Sequence, residues 1–343
     1  MRIQTVNVLR LIRRIEISEL PRCHSLFILH TIKNKLRLSL LPKIYTILSL
    51  LILSGPVFSD STPFADIHLH FNWDQKEIIS AQQVVKRLQD NNVVLATVSS
   101  TPTELALELT EAGGSWIQPF FSPYLTPAHR DRWFLDDGVL QAAEKGLASR
   151  LYKGIGELHI WSGIGPRRDN KIVLGLLKLA DEYRVPFLIH TEASSHLFFT
   201  PICQSYPDVK FIWAHAGGRL EPASVDQLMQ QCPNVWVEVS VRDPWRYHTL
   251  VDDQNQLLPG WRELLIKYQD RFMTGTDPVW NVTHGQRWAQ ADEGWDHYNQ
   301  LLEFHRKWLK QLPPEVENKI RLTNATELLT GKTSAARFSA DGN

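Results

Sequence analysis

From Phe64 onward, eight short runs of β-branched and other apolar residues alternate with longer stretches in which apolar residues recur three and four positions apart. Runs of the first kind are typical of buried strands, and stretches of the second kind are typical of amphipathic helices. Strands that alternate with helices form parallel sheets, because each helix carries the chain back along one face of the sheet. Eight such units predict a single (β/α)8 barrel of the α/β class.

The predicted strands are bounded at their C-terminal ends by polar or small residues. They are FADIHLH, NVVLATV, SWIQPFF, LYKGIGE, VPFLIH, VKFIWAH, VWVEVS and RFMTGTD. The predicted helices between them are AQQVVKRLQDN, PTELALELTEAG, DGVLQAAEKGLA, KIVLGLLKLADEY and VDQLMQQC, and extra C-terminal helices follow the last strand. We predict one barrel domain over residues 60–332, then a flexible tail over residues 333–343.

Charge is distributed unevenly along the chain, although the formal net charge is zero. Residues 1–59 carry nine Lys/Arg against two acidic residues, which leaves 28 Lys/Arg against 35 Asp/Glu in residues 60–343. A mildly acidic body argues against nucleic acid as the main partner, because phosphate binding needs clustered basic side chains. We therefore expect a small-molecule substrate, and assembly into a homo-oligomer stays open.

The basic N-terminal extension, residues 1–59, ends in the order of a secretory signal peptide. Lys43 closes a basic stretch, a ten-residue apolar run follows over residues 44–53, and the small residue Ser59 suits a cleavage site. The run is well short of the ~20 residues that a spanning helix needs. We predict cleavage after Ser59, a periplasmic or secreted location and no stable membrane insertion; an uncleaved anchor and a buried helix are the alternatives. We further expect translation to begin near residues 32–38.

Two cysteines, Cys203 and Cys232, remain in the predicted mature chain. Two cysteines do not make a disulfide framework. They could pair in an oxidising compartment, but both precede predicted strands at helix ends, where a small apolar residue serves equally well. We predict buried free thiols.

Potential metal ligands stand at the ends of four predicted strands. His68 and His70 are two apart on the first strand, so both side chains point to one face. His190, His215 and Asp277 end the fifth, sixth and eighth strands. In a (β/α)8 barrel the C-terminal strand ends converge on one functional site, and imidazole and carboxylate groups are common zinc ligands. The sequence therefore predicts a metal site at this mouth of the barrel.

This ligand pattern resembles the amidohydrolase superfamily. The segments IWAHAGG, GTD and PNVWVEVS are similar to its amidohydrolase-related branch, which includes uncharacterised hydrolases and aminocarboxymuconate-semialdehyde decarboxylase. The resemblance covers residues 64 to 330. It implies that His68, His70, His190 and Asp277 bind a divalent metal, while His215 either ligates a second ion or hydrogen-bonds the nucleophilic water. We expect one or two ions, with zinc as the default and manganese or iron as alternatives.

Glu157 ends the fourth strand, where binuclear members of the superfamily place a bridging carboxylate or carboxylated lysine. The segment GIGE that contains it is also similar to the TatD-like deoxyribonucleases. Glu157 would therefore bridge two ions, orient a histidine as a hydrogen-bond partner, or form a structural ion pair. Lys153 lies deeper in the same strand, and we do not expect it to be a ligand.

The implied mechanism is attack of a metal-activated water on a polarised carbonyl group. Asp277 is the expected proton acceptor and His215 would stabilise the oxyanion. For substrate binding, Arg219 and Arg242 could hold a carboxylate, against a surface or salt-bridging role for each. Trp73, Trp161 and Trp280 could line a flat apolar pocket, against ordinary loop packing. The polar segment 242–257 either covers the barrel mouth or is a plain surface excursion.

Four functions follow from these residues. The first is a metal-dependent hydrolase that cleaves a C–O or C–N bond of a lactone, ester or amide. The second is a non-oxidative decarboxylase with one metal, and the third is a TatD-like nuclease, which the acidic body opposes. The fourth is a metal-storing or carbohydrate-binding barrel without turnover. The complete ligand set favours the hydrolase.

Overall fold

Eight parallel strands in the order β1 to β8 form the sheet of the computed structural model, which describes residues 62–160, 165–191, 195–247, 249–279 and 291–332. The strands are β1 (Phe64–His70), β2 (Val93–Ser99), β3 (Ile117–Phe121), β4 (Gly154–His159), β5 (Phe187–His190), β6 (Phe211–Trp213), β7 (Val235–Glu238) and β8 (Phe272–Met273). Each strand pairs with the next one along the chain. The predicted strand number and parallel order are confirmed.

Helices follow the strands as the periodicity predicts. They are α1 (Ala81–Asp90), α2 (Leu105–Gly113), α3 (Gly138–Ala148), α4 (Lys171–Tyr183), α5 (Thr200–Ser205), α6 (Pro222–Gln231), α7 (Pro259–Lys267), α8 (Tyr298–Leu309), α9 (Pro314–Asn318) and α10 (Asn324–Thr330). Ser80 caps α1 in a reciprocal capping box with Gln83, which satisfies two otherwise unpaired N–H groups. In the described part of the chain, no helix has both the length and the apolar character needed to span a membrane.

Hydrogen bonds between the end of the sheet and its beginning close the barrel. The Ile67 N–H donates to the Thr274 carbonyl at 3.1 Å, and the Asp277 N–H donates to the His68 carbonyl at 2.8 Å. A (β/α)8 barrel is therefore confirmed, and the second of these bonds ties two predicted metal ligands together through their backbones.

Two apolar clusters hold the barrel. The larger one packs the helices against the outside of the sheet. The smaller one joins side chains from six different strands, which can meet only inside the barrel: Ile67, Leu95, Phe120, Leu188, Ile212 and Met273. Leu322 and Ala325, at and before α10, pack on the same cluster, so the C-terminal helices close one end of the interior.

The segment 242–257 packs back on the barrel. Leu250, Val251 and Leu257 are buried, and Val251 forms an antiparallel bridge with Leu257. Tyr247 of this segment lines the pocket at the opposite end of the interior from the C-terminal helices, where the strands end. The segment therefore contributes a wall to the barrel mouth.

Cys203 and Cys232 form a disulfide, so the prediction of free thiols is wrong. Cys203 lies in α5 and Cys232 directly follows α6, and their Cα atoms are 5.9 Å apart. This separation falls within the range that a disulfide requires. The sequence could not reveal the pairing because it depends on how two helices pack, although a sequence separation of 29 places the cysteines on successive βα units.

The predicted signal segment, residues 1–59, and the tail, residues 333–343, lie outside the described residues. The same holds for Trp161 and Trp280. Those predictions stay predictions.

Gly156 of β4 packs directly against the backbone of β5, and we expect Gly156→Ala to destabilise the protein by about 3 kcal/mol. Its φ is +124°, and a Cβ there would lie 2.1 Å from the Leu188 carbonyl oxygen. Thermal unfolding followed by circular dichroism should show a midpoint lowered by roughly 6 to 12 °C. Gly331→Ala is the matched control, because Gly331 also has a positive φ, +67°, but no atom of the described residues lies within 4 Å of its Cβ position. Equal stability of the two variants would contradict the steric argument.

Candidate metal centre

The six side chains predicted to bind metal meet at the C-terminal ends of the strands, and Glu157 lies at their centre. Its Oε2 atom is 3.5 Å from His68 Nε2 and 3.3 Å from His70 Nε2. Its Oε1 atom is 2.9 Å from His190 Nδ1 and 3.4 Å from His215 Nε2. One carboxylate oxygen therefore faces the histidine pair of β1, and the other faces the histidines of β5 and of the turn after β6.

Hydrogen bonds on the far side of His68 and His70 fix which ring nitrogen is bare. His70 Nδ1 donates to the Ser99 carbonyl at 2.9 Å, because a carbonyl can only accept. His68 Nδ1 donates to Glu238 Oε1 at 2.9 Å. Neutral rings held in this way present lone pairs at both Nε2 atoms, which lie 3.1 Å apart. Two facing lone pairs need a proton or a metal ion between them.

His215 is oriented by the same buried carboxylate. The Ser240 hydroxyl donates to Glu238 Oε1 at 3.0 Å and accepts from His215 Nδ1 at 2.7 Å. The His215 backbone N–H also donates to Glu238 Oε1, at 2.7 Å, from a left-handed conformation with φ of 56°. The lone pair of His215 Nε2 therefore points towards Glu157.

Asp277 is set in place through its backbone. Its φ is 47°, and Arg246 donates to the carbonyl oxygens of Asp277 at 2.6 Å and Thr276 at 2.9 Å. Asp243 forms an ion pair with the same guanidinium. Asp277 Oδ1 is buried, accepts no hydrogen bond from the residues that the structure describes and lies 3.4 Å from His70 Nε2. A carboxylate oxygen left in this state is ready to bind a cation.

The charges of the centre also call for a cation. Glu157, Glu238 and Asp277 are within 4 Å of histidines, and in the part of the chain that the structure describes no lysine or arginine nitrogen lies within 4 Å of their carboxylates. Burial opposes a charge on His68, yet these three carboxylates raise its pKa well above its usual range. Burial likewise opposes a charge on Glu238, but His68 and His215 lower its pKa to about 2. The donor set therefore fits a divalent metal.

The sequence analysis did not identify His159 or Glu238. The Glu238 carboxylate accepts hydrogen bonds from His68, His215 and Ser240. His159 follows Glu157 by two positions on β4, so strand alternation could have placed it on the same face. Its Nε2 lies 3.7 Å from Glu157 Oε2, and its Nδ1 lies 2.6 Å from the Tyr124 hydroxyl. Glu238 is a charged residue inside the apolar strand VWVEVS, which is a readable sign of a buried polar partner.

The residues predicted to bind substrate do not come together in one place, unlike the predicted metal ligands. Arg242 is buried and its guanidinium donates to the carbonyl oxygens of His215, Ala216 and Leu220, so it braces the turn after β6 and does not line the pocket. Arg219 is exposed, with its guanidinium carbon 6.0 Å from the ring centre of Tyr247.

Trp73 and Lys153 do not line the pocket either. Trp73 is 46% exposed, and Lys153 donates to the Arg150 carbonyl on the surface. Trp280 lies outside the described residues.

We expect Glu238→Gln to weaken metal binding by roughly 10- to 100-fold, because an amide cannot accept from both His68 and His215 with the strength of a carboxylate. Metal affinity would be measured by competition with a chromophoric chelator. Glu182→Gln, an exposed change on α4, serves as the control. Unchanged affinity in Glu238→Gln would show that this carboxylate does not orient the ligands.

Comparisons with known proteins agree with this architecture. The family model described as amidohydrolase matches residues 65–330. The structure of YjjV, a TatD homologue from Escherichia coli K12, aligns with a TM-score of 0.55 and 16% identity over 78% of this chain and 98% of that one. A protein of Agrobacterium tumefaciens, solved in its apo form, aligns with a TM-score of 0.50 and 13% identity over 81% and 98%. At these identities the likeness shows the fold alone. No curated protein matches the sequence.

Proposed function

The chain belongs to the amidohydrolase family, and from this premise we propose that it is a metal-dependent hydrolase that cleaves a C–O or C–N bond of a small molecule. A lactone, an ester or an amide would be the substrate. The observation that carries the proposal is the position of Glu157 between two histidine pairs, with one oxygen facing each pair.

The proposed ligands fall into two groups that share Glu157. His68, His70 and Asp277 form the first group. His190 and His215 form the second, with His190 Nδ1 3.1 Å from His215 Nε2. A divalent metal, with zinc as our proposal, would polarise the scissile carbonyl and lower the pKa of a water molecule. The shared carboxylate supports two ions over one, which favours the hydrolase over the decarboxylase.

Asp277 is the proposed proton acceptor. Its side chain lines the pocket and is 15% exposed, so it can reach a water molecule there. It would take a proton from the attacking water and return it to the leaving group. His215 Nε2 lies 3.9 Å from Asp277 Oδ2, on the side where a developing oxyanion could also be stabilised.

We also propose that the protein works outside the cytoplasm. The basic and apolar N-terminal segment and the Cys203–Cys232 disulfide both support this, because disulfides persist mainly in oxidising compartments. N-terminal sequencing of the exported protein should begin at Asp60. A mature protein that retains residues upstream of Ser59 would contradict the proposed cleavage.

The test of the hydrolase proposal combines metal analysis with turnover. Protein expressed from Asp60 would be reconstituted with zinc, analysed for metal per chain, and incubated with matched panels of lactones, aryl esters and anilides. We expect bound metal and turnover of at least one panel, with activity lost on chelation and restored by zinc. Release of carbon dioxide from aromatic acids without hydrolysis would support the decarboxylase instead. No bound metal after reconstitution would overturn the proposal.

A further inference from the structure

We propose that Asp66 is a positioning residue for the metal centre, because its carboxylate joins β1, which carries His68, to the turn after β8, which carries Asp277. The inference rests on the proposed function, since that function needs His68 and Asp277 as metal ligands. It goes beyond that function by giving a role to a buried network that reaches from Asp66 to Tyr298 at the start of α8.

Asp66 is fully buried and accepts four hydrogen bonds. Its Oδ1 atom accepts from the backbone N–H of Thr276 at 3.0 Å and from that of His68 at 3.3 Å. Its Oδ2 atom accepts from the Thr276 hydroxyl at 2.7 Å and from the Tyr298 hydroxyl at 2.9 Å. A carboxylate has about four lone-pair sites, so these donors use its full accepting capacity. The carboxylate is therefore held by β1, by the turn after β8 and by α8 together.

Thr276 passes this restraint on to Asp277. The two donors of Thr276 bind different oxygens of one carboxylate, which fixes both the backbone and the side chain of Thr276. The next N–H along the chain is that of Asp277, and it donates to the His68 carbonyl at 2.8 Å. Asp277 has a φ of 47°, in the left-handed region that few residues other than glycine adopt. A weaker hold on Thr276 would therefore let the Asp277 carboxylate move relative to His68.

Two aromatic side chains beside the start of α8 bond to Asp66 and to the end of β1. The rings of Trp295 and Tyr298 are buried and stacked, with centres 5.2 Å apart and an interplanar angle of 25°. Tyr298 donates to Asp66, and the Trp295 indole N–H donates to the His70 carbonyl at 3.0 Å. Burial and the charge of Asp66 raise the pKa of Tyr298 well above its usual range, so the phenol keeps the proton of this bond. One aromatic pair thus restrains both ends of the segment that contains the two histidines of β1.

Water cannot replace a lost member of this network easily, because Asp66, Thr276 and Tyr298 are each fully buried. A buried polar group that loses its partner keeps the cost of desolvation unless its surroundings rearrange. Displacement of a group at a reaction centre by about 1 Å can lower a rate by roughly 100-fold. We therefore expect the network to affect the metal centre beyond its contribution to stability.

Thr276→Val in cobalt(II)-reconstituted protein tests the positioning role. Valine keeps the shape and the backbone N–H of Thr276 but removes the hydroxyl that donates to Asp66. Cobalt binding, measured by competition with a chromophoric chelator, should weaken by roughly 10- to 100-fold. The visible absorption bands of the bound ion should also change, because they depend on the arrangement of its ligands. Thr276→Ser keeps a hydroxyl and should restore both properties.

Thr274→Val is the matched control. Thr274 is also buried and its hydroxyl also joins the end of β8 to β1, but it donates to the Ala65 carbonyl, at 2.9 Å. Both valine variants should lower the thermal midpoint by a similar amount, roughly 2 to 6 °C, whereas only Thr276→Val should change cobalt binding. Equal cobalt affinities and equal spectra in the two valine variants would assign the network to the scaffold alone and overturn the proposal.

Tyr298→Phe tests the network without a change in the chain near Asp277, and it serves if Thr276→Val does not fold. We expect cobalt affinity to fall by roughly 3- to 10-fold. Tyr268→Phe is its control, because the Tyr268 hydroxyl also donates to an aspartate, Asp226, at 2.6 Å, away from the metal centre. Cobalt binding that is the same in the two phenylalanine variants would overturn the role of Tyr298.

Turnover distinguishes failure of the positioning role from failure of the proposed function. On an ester that the reconstituted parent hydrolyses, Thr276→Val should lower kcat by roughly 10- to 100-fold and change KM less than about twofold. A parent that hydrolyses nothing would remove the hydrolase, while the cobalt comparison would still decide the positioning role. Hydrolysis with the same kcat and the same cobalt spectrum in both valine variants would remove the positioning role and keep the hydrolase.

Discussion

Asp277→Asn is expected to lower kcat/KM by about three orders of magnitude with the fold intact. Positioned proton transfer contributes roughly 10²- to 10⁴-fold, and an amide at this position cannot accept the proton of the attacking water. Asparagine is the appropriate replacement, because the residue has a φ of 47° and asparagine tolerates this left-handed conformation better than most residues. The backbone bonds to His68 and Arg246 do not involve the side chain and should remain.

The measurement compares kcat/KM, metal content and thermal midpoint in the parent and in the variant. Asp296→Asn is the control, since the Asp296 side chain is 68% exposed and does not line the pocket. A variant that keeps full activity would remove Asp277 from the mechanism. A variant that is inactive only when metal is limiting would assign Asp277 the role of ligand and not of proton acceptor.

The positions of the candidate ligands could be predicted from the sequence because the C-terminal ends of the strands of a parallel barrel lie next to one another. His190 and Asp277 are 87 residues apart in numbering, yet each follows a short apolar run, and the C-terminal ends of such runs meet at one mouth. The spacing of His68 and His70 fixed their common face through strand alternation. Local periodicity and one topological rule were therefore sufficient for these residues.

The side chains that support the ligands could not be predicted in the same way. Glu238 orients His68 across 170 residues of sequence, and this pairing depends on how β7 and the closing end of β8 lie against β1. Gly275 illustrates the fit, because a Cβ there would lie 2.7 Å from the His68 Cβ and 2.9 Å from Glu238 Oε2. Side-chain contacts of this range are set by packing and not by periodicity.

The position of Arg242 and the pairing of the cysteines depend on packing for a related reason. A charged residue after a strand and two cysteines at helix ends each permit an exposed or a buried role, and a single sequence does not reveal which one packing will select. The structure buries Arg242 against three carbonyl oxygens and brings Cys203 to Cys232. In both cases backbone positions from separate βα units decide the outcome.

Glu157→Gln is expected to reduce two bound ions to one and to abolish most of the hydrolytic activity. Glu157 is the carboxylate that lies within 4 Å of His68, His70, His190 and His215 at once. Glutamine keeps the volume but loses the charge, and its NH2 group would donate to nitrogens that a metal needs as lone pairs. Burial raises the pKa of Glu157, but the surrounding imidazoles outweigh burial and lower this pKa well below the usual range, so Glu157 is ionised.

Metal per chain, measured on the reconstituted parent and variant, decides between the binuclear and mononuclear forms of the centre. Glu144→Gln, an exposed change on α3, provides the control for loss of one carboxylate elsewhere. Two ions in the parent and one in Glu157→Gln would support the bridging role. One ion in both proteins would make Glu157 a hydrogen-bond partner of the histidines. The decarboxylase function would then be supported as well as the hydrolase function. The geometry favours the first result, because the two oxygens of Glu157 face different histidine pairs and a single ion cannot use both pairs through one carboxylate without moving them.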